Sequence, residues 1–349
     1  MRVGALSALT AAIAIAMPLS LQAQTVDGPR VEWNHSTWGK KRAFTAGIEK
    51  VSEIVSQRSG GKFTIKVHYG EALSKDKENL DGIKLGAFEM ADFCNFYHPG
   101  KVPAWMVMTM PFLALADWNV SKDVREAMMK HPAFVADLDQ WNAVAYMSGL
   151  LPQYEFLGKG TAPKTLDEWK GLRVRAGGGI GDAMRRLGAV LSTVPATEVY
   201  TAIERGTVDA VSFPYTYAHA AYQIHTVADW YTSNMSPGTT ECASVINKDA
   251  LAKLPPQFKK LLDEAREPAY AHLIKAYVDI DKVNVPLFKS KLTEIVYTDA
   301  ELQKFQDTVG RPVWEKWVAD NKGKFDAQNV LDTLLKEIAK AEAKHLKKK

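Results

Sequence analysis

The sequence predicts an α/β protein of two lobes, and three observations carry the prediction. Between residues 37 and 213 the apolar periodicity switches repeatedly between the helical repeat and the strand repeat. After Asn247 the chain reads as almost wholly helical. At 349 residues it is long enough for two domains of ordinary size, yet no low-complexity tract or linker separates them. Two lobes without a linker must be joined by strands that cross between them more than once.

The elements follow in order. Phe44, Ile48, Val51 and Val55 recur at helical spacing, Ser36 or Thr37 offers a cap, and Gly60-Gly61 forms a stop, so residues 37–59 are expected to be one amphipathic helix. Strict alternation over 63–69 predicts a strand. A helix over 79–85, a strand over 90–94 and a helix over 117–130 come next. Residues 144–151 read as strand, Thr165 and Glu168 have the capping-box spacing, and 172–176 read as a short strand. The glycine-rich 177–181 leads into a helix over 182–187, and a helix over 197–205 ends at Gly206 before a strand over 208–213. Such interleaving predicts mostly parallel sheets covered on both faces. In the helical part, Pro255, Pro256, Pro268 and Pro286 are expected to break or kink helices, Thr298 and Glu301 form another capping box, and Val330, Leu331, Leu334, Leu335 and Ile338 stripe a last helix.

Arg2, the apolar run 3–17 and the small or polar residues before Ala23 have the pattern of a secretory signal peptide, residues 1–23, with cleavage expected after Ala23. The mature protein is then free in the periplasm, since neither cysteine stands at the new terminus to take a lipid. The apolar run 102–116 contains Pro103 and Pro111 and is shorter than the roughly 20 residues that span a bilayer. Cys94 and Cys242 are expected to be unpaired, because a core of this size makes a covalent staple unnecessary. Lys plus Arg exceed Asp plus Glu by only 44 to 40, a dispersed excess that excludes nucleic acid as a partner class.

The motifs of an exported hydrolase, Gly-x-Ser-x-Gly and His-Glu-x-x-His, do not occur, and the eight histidines are scattered. Glycines 177–179 and 181 resemble a dinucleotide turn, but Asp182 stands where the last glycine belongs and would repel a pyrophosphate. Arg175 stands at the carboxyl end of a short strand, with only Ala176 between it and this cluster. Its guanidinium can face a crevice into which bare backbone admits a ligand, and it would bind a carboxylate through two parallel hydrogen bonds, aided by the dipole of the following helix. Arg173, two residues back, is expected to be exposed and structural.

Gly171-Leu172-Arg173-Val174-Arg175, Leu187-Gly188-Ala189 and the run from Tyr200 to Asp209 (YTAIERGTVD) together resemble the central signature of solute receptors of TRAP (tripartite ATP-independent periplasmic) transporters, the DctP type. Leu85-Gly86, Pro111-Phe112-Leu113 and the helical end extend the resemblance over nearly all of the mature chain. It implies a periplasmic-binding-protein-like fold with mixed sheets, crossing hinge strands and a long bracing helix. Residues 24–151 with about 241–285 would form one lobe, 152–240 with about 286–325 the other, and 326–349 a C-terminal helix. It also implies a non-enzyme that closes around a small carboxylate and delivers it to the small and large membrane subunits of an ion-driven transporter, and it places the carboxylate-binding arginine on Arg175.

Other site residues follow from the resemblance. Phe213 falls at a lining position, with Tyr215 and Tyr217 just beyond. Some sialic-acid receptors carry asparagine at that place, so Phe213 argues against a heavily hydroxylated sugar acid. Asn95, Phe96, Tyr97 and His98, and Trp33, Asn34 and His35, also occupy lining positions in the family. So many aromatic residues favour an apolar or aromatic monocarboxylate, or a 2-oxo or 2-hydroxy acid; a C4-dicarboxylate or sugar acid is the alternative within the family, and an exported enzyme the one outside it. Some 2-oxo acid receptors hold substrate through a metal on a glutamine and a glutamate. Gln153 and Glu241 stand near those places, but the segment 237–242 lacks the accompanying tryptophans and double glycine, so no cofactor and a hydrogen-bonding role for Gln153 or Glu241 are expected, with a cation bound by the two as the alternative.

Overall fold

A computed structural model describes residues 25–346, and the expected signal peptide lies outside the described residues. Eleven strands are present among them: β1 (Val31–Ser36), β2 (Phe63–His68), β3 (Met90–Cys94), β4 (Ala143–Ser148), β5 (Tyr154–Gly158), β6 (Arg173–Arg175), β7 (Val190–Ser192), β8 (Ala210–Pro214), β9 (Trp230–Thr232), β10 (Cys242–Asn247) and β11 (Thr293–Ile295). They form two sheets, ordered β2-β1-β3-β10-β4 in the first lobe and β11-β9-β5-β8-β6-β7 in the second.

The sheets are mixed, and less parallel than alternation of helix and strand suggests. The chain passes from the first sheet to the second through 149–153 and returns through 237–241. The two strands that begin directly after these crossings are the antiparallel ones: β5 opposes β8 and β9, and β10 opposes β3 and β4. A strand arriving from the other lobe enters its sheet from the opposite end, so it runs against its neighbours.

Local sequence accounts for most elements. In the helix Ala46–Arg58 the residues Ile48, Val51 and Val55 are buried, one per turn, and the chain leaves through Gly60 and Gly61, both at positive φ. It begins nine residues later than the periodicity suggests, because Gly39 at φ +67° turns residues 37–42 into a loop facing the second lobe. Phe63 and Ile65 alternate inward along β2. Asp117 caps the helix Trp118–Met128, and Thr298 with Glu301 forms the expected capping box. At Thr165 no cap forms; the next residues make a short 3-10 turn, and the Glu168 carboxylate instead accepts the Lys164 amide.

The prolines do not break the largest element. The helix Pro256–Lys291 takes Pro256 in its first turn, then runs through Pro268 and Pro286 for 36 residues, or about 54 Å. Its buried face, which includes Leu261, Leu262, Ala265, Ala269, Leu273 and Tyr277, packs on the helix Ala46–Arg58 and, nearer its end, on the helix Tyr217–Ala221. Packing on both lobes offsets the backbone hydrogen bonds that prolines remove. The same helix fastens the first crossing: the Tyr270 hydroxyl accepts the Ser148 amide, and the Tyr277 hydroxyl donates to the Gly149 carbonyl. The final helix, Ala327–His345, lays Val330, Leu331, Leu334 and Ile338 on the helix Trp118–Met128. Val313 and Trp317 join that core too. No described helix is long and apolar enough to cross a membrane.

Cys94 and Cys242 form a disulfide, which corrects the expectation that they are unpaired. They are register partners on the adjacent antiparallel strands β3 and β10. A separation of 148 residues hides that adjacency from the sequence.

Candidate functional site

Between the lobes lies a small cavity of about 30 Å³. That is room for roughly two waters, so the lobes are drawn together and must part to admit an organic acid. The second lobe contributes Arg175 from the end of β6, Phe213 from β8, and Tyr217 and Tyr222 from the helix Tyr217–Ala221 and its exit. The first lobe contributes Trp38, Arg42 and Phe44 from the turn after β1, and Phe96 and Tyr97 from the 3-10 turn after β3. The Cys94–Cys242 disulfide lies at its wall.

Arg175 is 1% exposed and forms no ion pair among the described residues. Its Nε donates to the Val194 carbonyl (3.1 Å), one Nη to the Ser212 carbonyl (3.0 Å) and the other to the Tyr97 hydroxyl (3.2 Å). A guanidinium has five N–H groups, so three hold it in place and two remain. The charge rests 4.6 Å above the Phe213 ring and 5.6 Å from Phe96. Tyr97 belongs to the first lobe, and its hydroxyl also accepts the Ala196 amide of the second (3.0 Å). Burial pushes its phenol up, so it stays a neutral hydroxyl.

The glycine cluster does a different task from the one the sequence suggests. A side chain at Gly177 would meet the Phe96 ring at 2.5 Å, and one at Gly179 would meet the Thr109 carbonyl oxygen at 2.4 Å. The bare backbone therefore admits the first lobe rather than a ligand. The Gly179 amide, in the first turn of the helix Gly178–Arg186, donates to the Thr109 hydroxyl (2.8 Å), so this amide is not left for a carboxylate. Arg173 is exposed, as expected, and forks onto the Asp209 carboxylate.

Of the site residues taken from the sequence, the structure gathers Arg175, Phe213, Tyr97, Phe96 and Tyr217 at the cavity and places the others elsewhere. Trp33 is in the first-lobe core, edge-on to Phe63 at 5.2 Å. His35 is buried inside the first lobe with Nε2 3.2 Å from the Asp92 carboxylate. These two belong to β1, a strand the sequence reading did not delimit, and so point into the lobe. Asn34 also lies on β1, its side chain beside His68. The Asn95 amide is spent on the Trp105 carbonyl (2.8 Å) and the Phe96 amide (2.8 Å), fixing the turn that carries Tyr97. His98 is buried behind it, with burial pushing its imidazole down to about 4.

Tyr215 stacks on Tyr231 at 6.4 Å and packs against Phe288, while its amide donates to the Gln153 carbonyl (3.0 Å) in the crossing segment. Glu241 is ion-paired with Arg125 and accepts the Ser148 hydroxyl (2.7 Å), all three buried. Burial pushes its carboxyl up against the pull of Arg125. With both carboxylate oxygens engaged and Gln153 outside the cavity, these two residues do not converge as a cation site, and no cluster of metal-ligating side chains occurs among the described residues.

The sequence reading missed Trp38, Arg42, Phe44 and Tyr222. All three fall within the helix expected over 37–59, Phe44 on its apolar face, and the signal that separates them from it is Gly39, poor in a helix but suited to a turn. Tyr222 stacks on Phe213 with ring centroids 5.2 Å apart, a contact between β8 and a helix exit that no spacing reveals.

A buried guanidinium with spare donors, set among aromatic rings between two α/β lobes, is a site chemically suited to a small anion. The chain belongs to the bacterial extracellular solute-binding proteins, family 7 (DctP), whose family model matches residues 34–321. It is similar to a monocarboxylate 2-oxoacid-binding periplasmic protein of Nostoc sp., 22% identical over 315 residues that cover 84% of this chain and 85% of that one. Its fold is that of a TRAP solute binding protein from Rhodoferax ferrireducens crystallised with copurified benzoate: TM-score 0.79 at 20% identity, covering 90% of this chain and 99% of the other. A TRAP periplasmic solute binding protein from Desulfovibrio salexigens with bound orotic acid gives TM-score 0.79 at 18% identity, over 89% and 99% of the two chains. Family and fold agree with the resemblance to TRAP solute receptors read from the residues around Arg175.

Proposed function

We propose that this protein is the exported solute receptor of a TRAP uptake system and that it captures a small, flat organic acid between its lobes. The observation that carries the reading is Arg175, a buried guanidinium without a counter-charge, with two donors left over. A carboxylate supplies the missing charge and accepts two parallel hydrogen bonds. Phe213, Phe96 and Tyr217 give the body of the acid apolar, aromatic surface, which supports an aromatic or 2-oxo monocarboxylate over a sugar acid. The relatives named with benzoate, orotic acid and a 2-oxoacid support the same class.

Closure follows from differential affinity. The ligand's carboxylate pairs with a second-lobe residue while first-lobe residues cover it, so these contacts exist together only when the lobes meet. The closed form then docks on membrane subunits, and the amino-terminal pattern directs export to the periplasm with cleavage after Ala23.

The test is a panel of aliphatic, aromatic, 2-oxo and dicarboxylic acids scored by melting temperature, because a ligand at 100 times its dissociation constant stabilises by about 2.7 kcal/mol. For the acid with the largest shift, Arg175→Ala is expected to weaken binding by about 2–5 kcal/mol in calorimetry. Unchanged affinity in that variant, or turnover of the bound acid, overturns the reading.

A further inference from the structure

Residues 71–78 of the first lobe and 192–198 of the second face each other across an open cleft of about 570 Å³. Asp76 lines this seam and is 2% exposed, and its Oδ2 is buried without a hydrogen-bond partner among the described residues. An unpaired carboxylate oxygen held away from water penalises the ionised form far more than the protonated one. The turn after β2 keeps the group there. Glu71, at φ +64°, accepts the Asp76 amide on its carboxylate (3.1 Å), which sets a second acidic group alongside.

The charged and titratable groups around Asp76 come from both lobes. On its own segment Lys75, Lys77 and Glu78 line the cleft, and Glu198 faces it from the second lobe. The His98 imidazole lies against the Asp76 backbone, and the Tyr97 and Tyr222 phenols stand within the field of its carboxylate. Two cations favour the ionised carboxylate, Lys77 and Arg175. Lys77 is exposed, so water screens it, whereas Arg175 is buried in the other lobe and attracts Asp76 without forming an ion pair. A ligand carboxylate seated on Arg175 cancels that attraction, and closure strips away the water that solvates Asp76 when the lobes are apart. Both changes favour the protonated form. Burial and Glu71 already push the Asp76 carboxyl up to about 6 in the closed form.

We infer that the receptor captures its anion together with a proton, which Asp76 takes up as the lobes close. The inference rests on the reading of Arg175 as the carboxylate anchor and adds the charge that travels with the acid. The proton neutralises a carboxylate that would otherwise be trapped at the seam beside an incoming negative charge. The sign follows from the two states. With the lobes apart, Asp76 is hydrated and titrates near the ordinary value of about 4; closed, it titrates at about 6, so closure binds a proton between those values and capture tightens as pH falls. His98 and His219 are packed within single lobes, so their own titration cancels between the open and closed forms.

The test is calorimetry with benzoate and 2-oxopropanoate, run in two buffers of different ionisation enthalpy so that proton uptake is read directly. Where neither binds, the panel acid with the largest melting shift takes their place. Wild-type protein should take up about 0.7 proton per ligand at pH 5.5 and almost none at pH 7.5, and should bind about four-fold more tightly at the lower pH. Asp76→Asn keeps the shape of the side chain and removes its titration, so uptake should fall below about 0.2 proton and the affinity ratio between the two pH values to about one. Asp76→Ser gives the same reading where the amide crowds the seam. Glu71→Gln, which removes the neighbouring charge, should lower the uptake. Wild-type uptake below about 0.2 proton at pH 5.5, or uptake that persists in the Asp76 variants, overturns the inference and leaves the receptor reading standing. Wild-type protein that binds no acid of the panel at either pH overturns the receptor reading and the inference with it.

Discussion

The Tyr97 hydroxyl stands 3.2 Å from an Nη of Arg175, and the two residues belong to different lobes. Because the same hydroxyl accepts the Ala196 amide, Tyr97 positions the guanidinium and latches the lobes at once. Tyr97→Phe keeps the ring against Phe96 and removes both bonds. Ligand binding is expected to weaken by about 1–2 kcal/mol, roughly 5- to 30-fold. Calorimetry checks this, and small-angle scattering of the unliganded variant should show a larger radius of gyration than wild type.

The disulfide closes a loop of 148 residues that contains most of the second lobe. In the chain-entropy account its removal by Cys94→Ser with Cys242→Ser should cost about 2–5 kcal/mol of stability. Urea denaturation of oxidised, reduced and doubly substituted protein measures it. Coincident curves for all three would show that the bridge contributes nothing to stability.

Arg125 is buried on the helix Trp118–Met128 and binds the returning crossing segment three ways: Glu241 by an ion pair, the Thr240 carbonyl at 2.9 Å and the Thr239 hydroxyl at 3.3 Å. Arg125→Met strands the Glu241 carboxylate in the interior and should destabilise by about 3–5 kcal/mol. Adding Glu241→Gln removes the stranded charge and should restore a large part. A double variant no more stable than the single one would contradict the charge argument.

Two buried histidines lower stability in acid, opposed over the same range by the buried Asp76 and Asp137, whose carboxyls burial pushes up to about 6. Burial pushes His98 down to about 4 and His219 down to about 3, against an unfolded value near 6.5. Between those values each of these imidazoles binds more protons in the unfolded chain than in the folded one, so its contribution to stability is fully present above pH 6.5 and falls as pH drops. Each imidazole should withdraw on the order of 2 kcal/mol between pH 7.5 and pH 5. Denaturation midpoints across that range give the net slope, and His219→Asn should lose less stability than wild type between pH 7.5 and pH 5.

Much of the fold is legible in the sequence where the signal is periodic and local. Ile48, Val51 and Val55 announce a helix face, and 63–68 announces a strand, because burial on one side imposes the repeat. The strand β1 is hard to delimit because the alternation of Val31, Glu32, Trp33 and Asn34 is short and gives way to the polar but buried His35 and Ser36, and β11 has only three residues. The long helix defied its own prolines, since packing on both lobes outweighs the local preference to stop.

What the sequence by itself determined is the family, the α/β alternation and the place of Arg175 at a strand end just before the glycines, for each of these is a local pattern. What only the tertiary structure decided is the company Arg175 keeps. Tyr97, Phe213, Arg42 and Tyr222 converge from separate segments of both lobes, Cys94 finds Cys242, and Trp33, His35 and Glu241 turn inward. Those outcomes depend on strand order and on how two lobes meet, relations between residues far apart in the chain that no periodicity encodes.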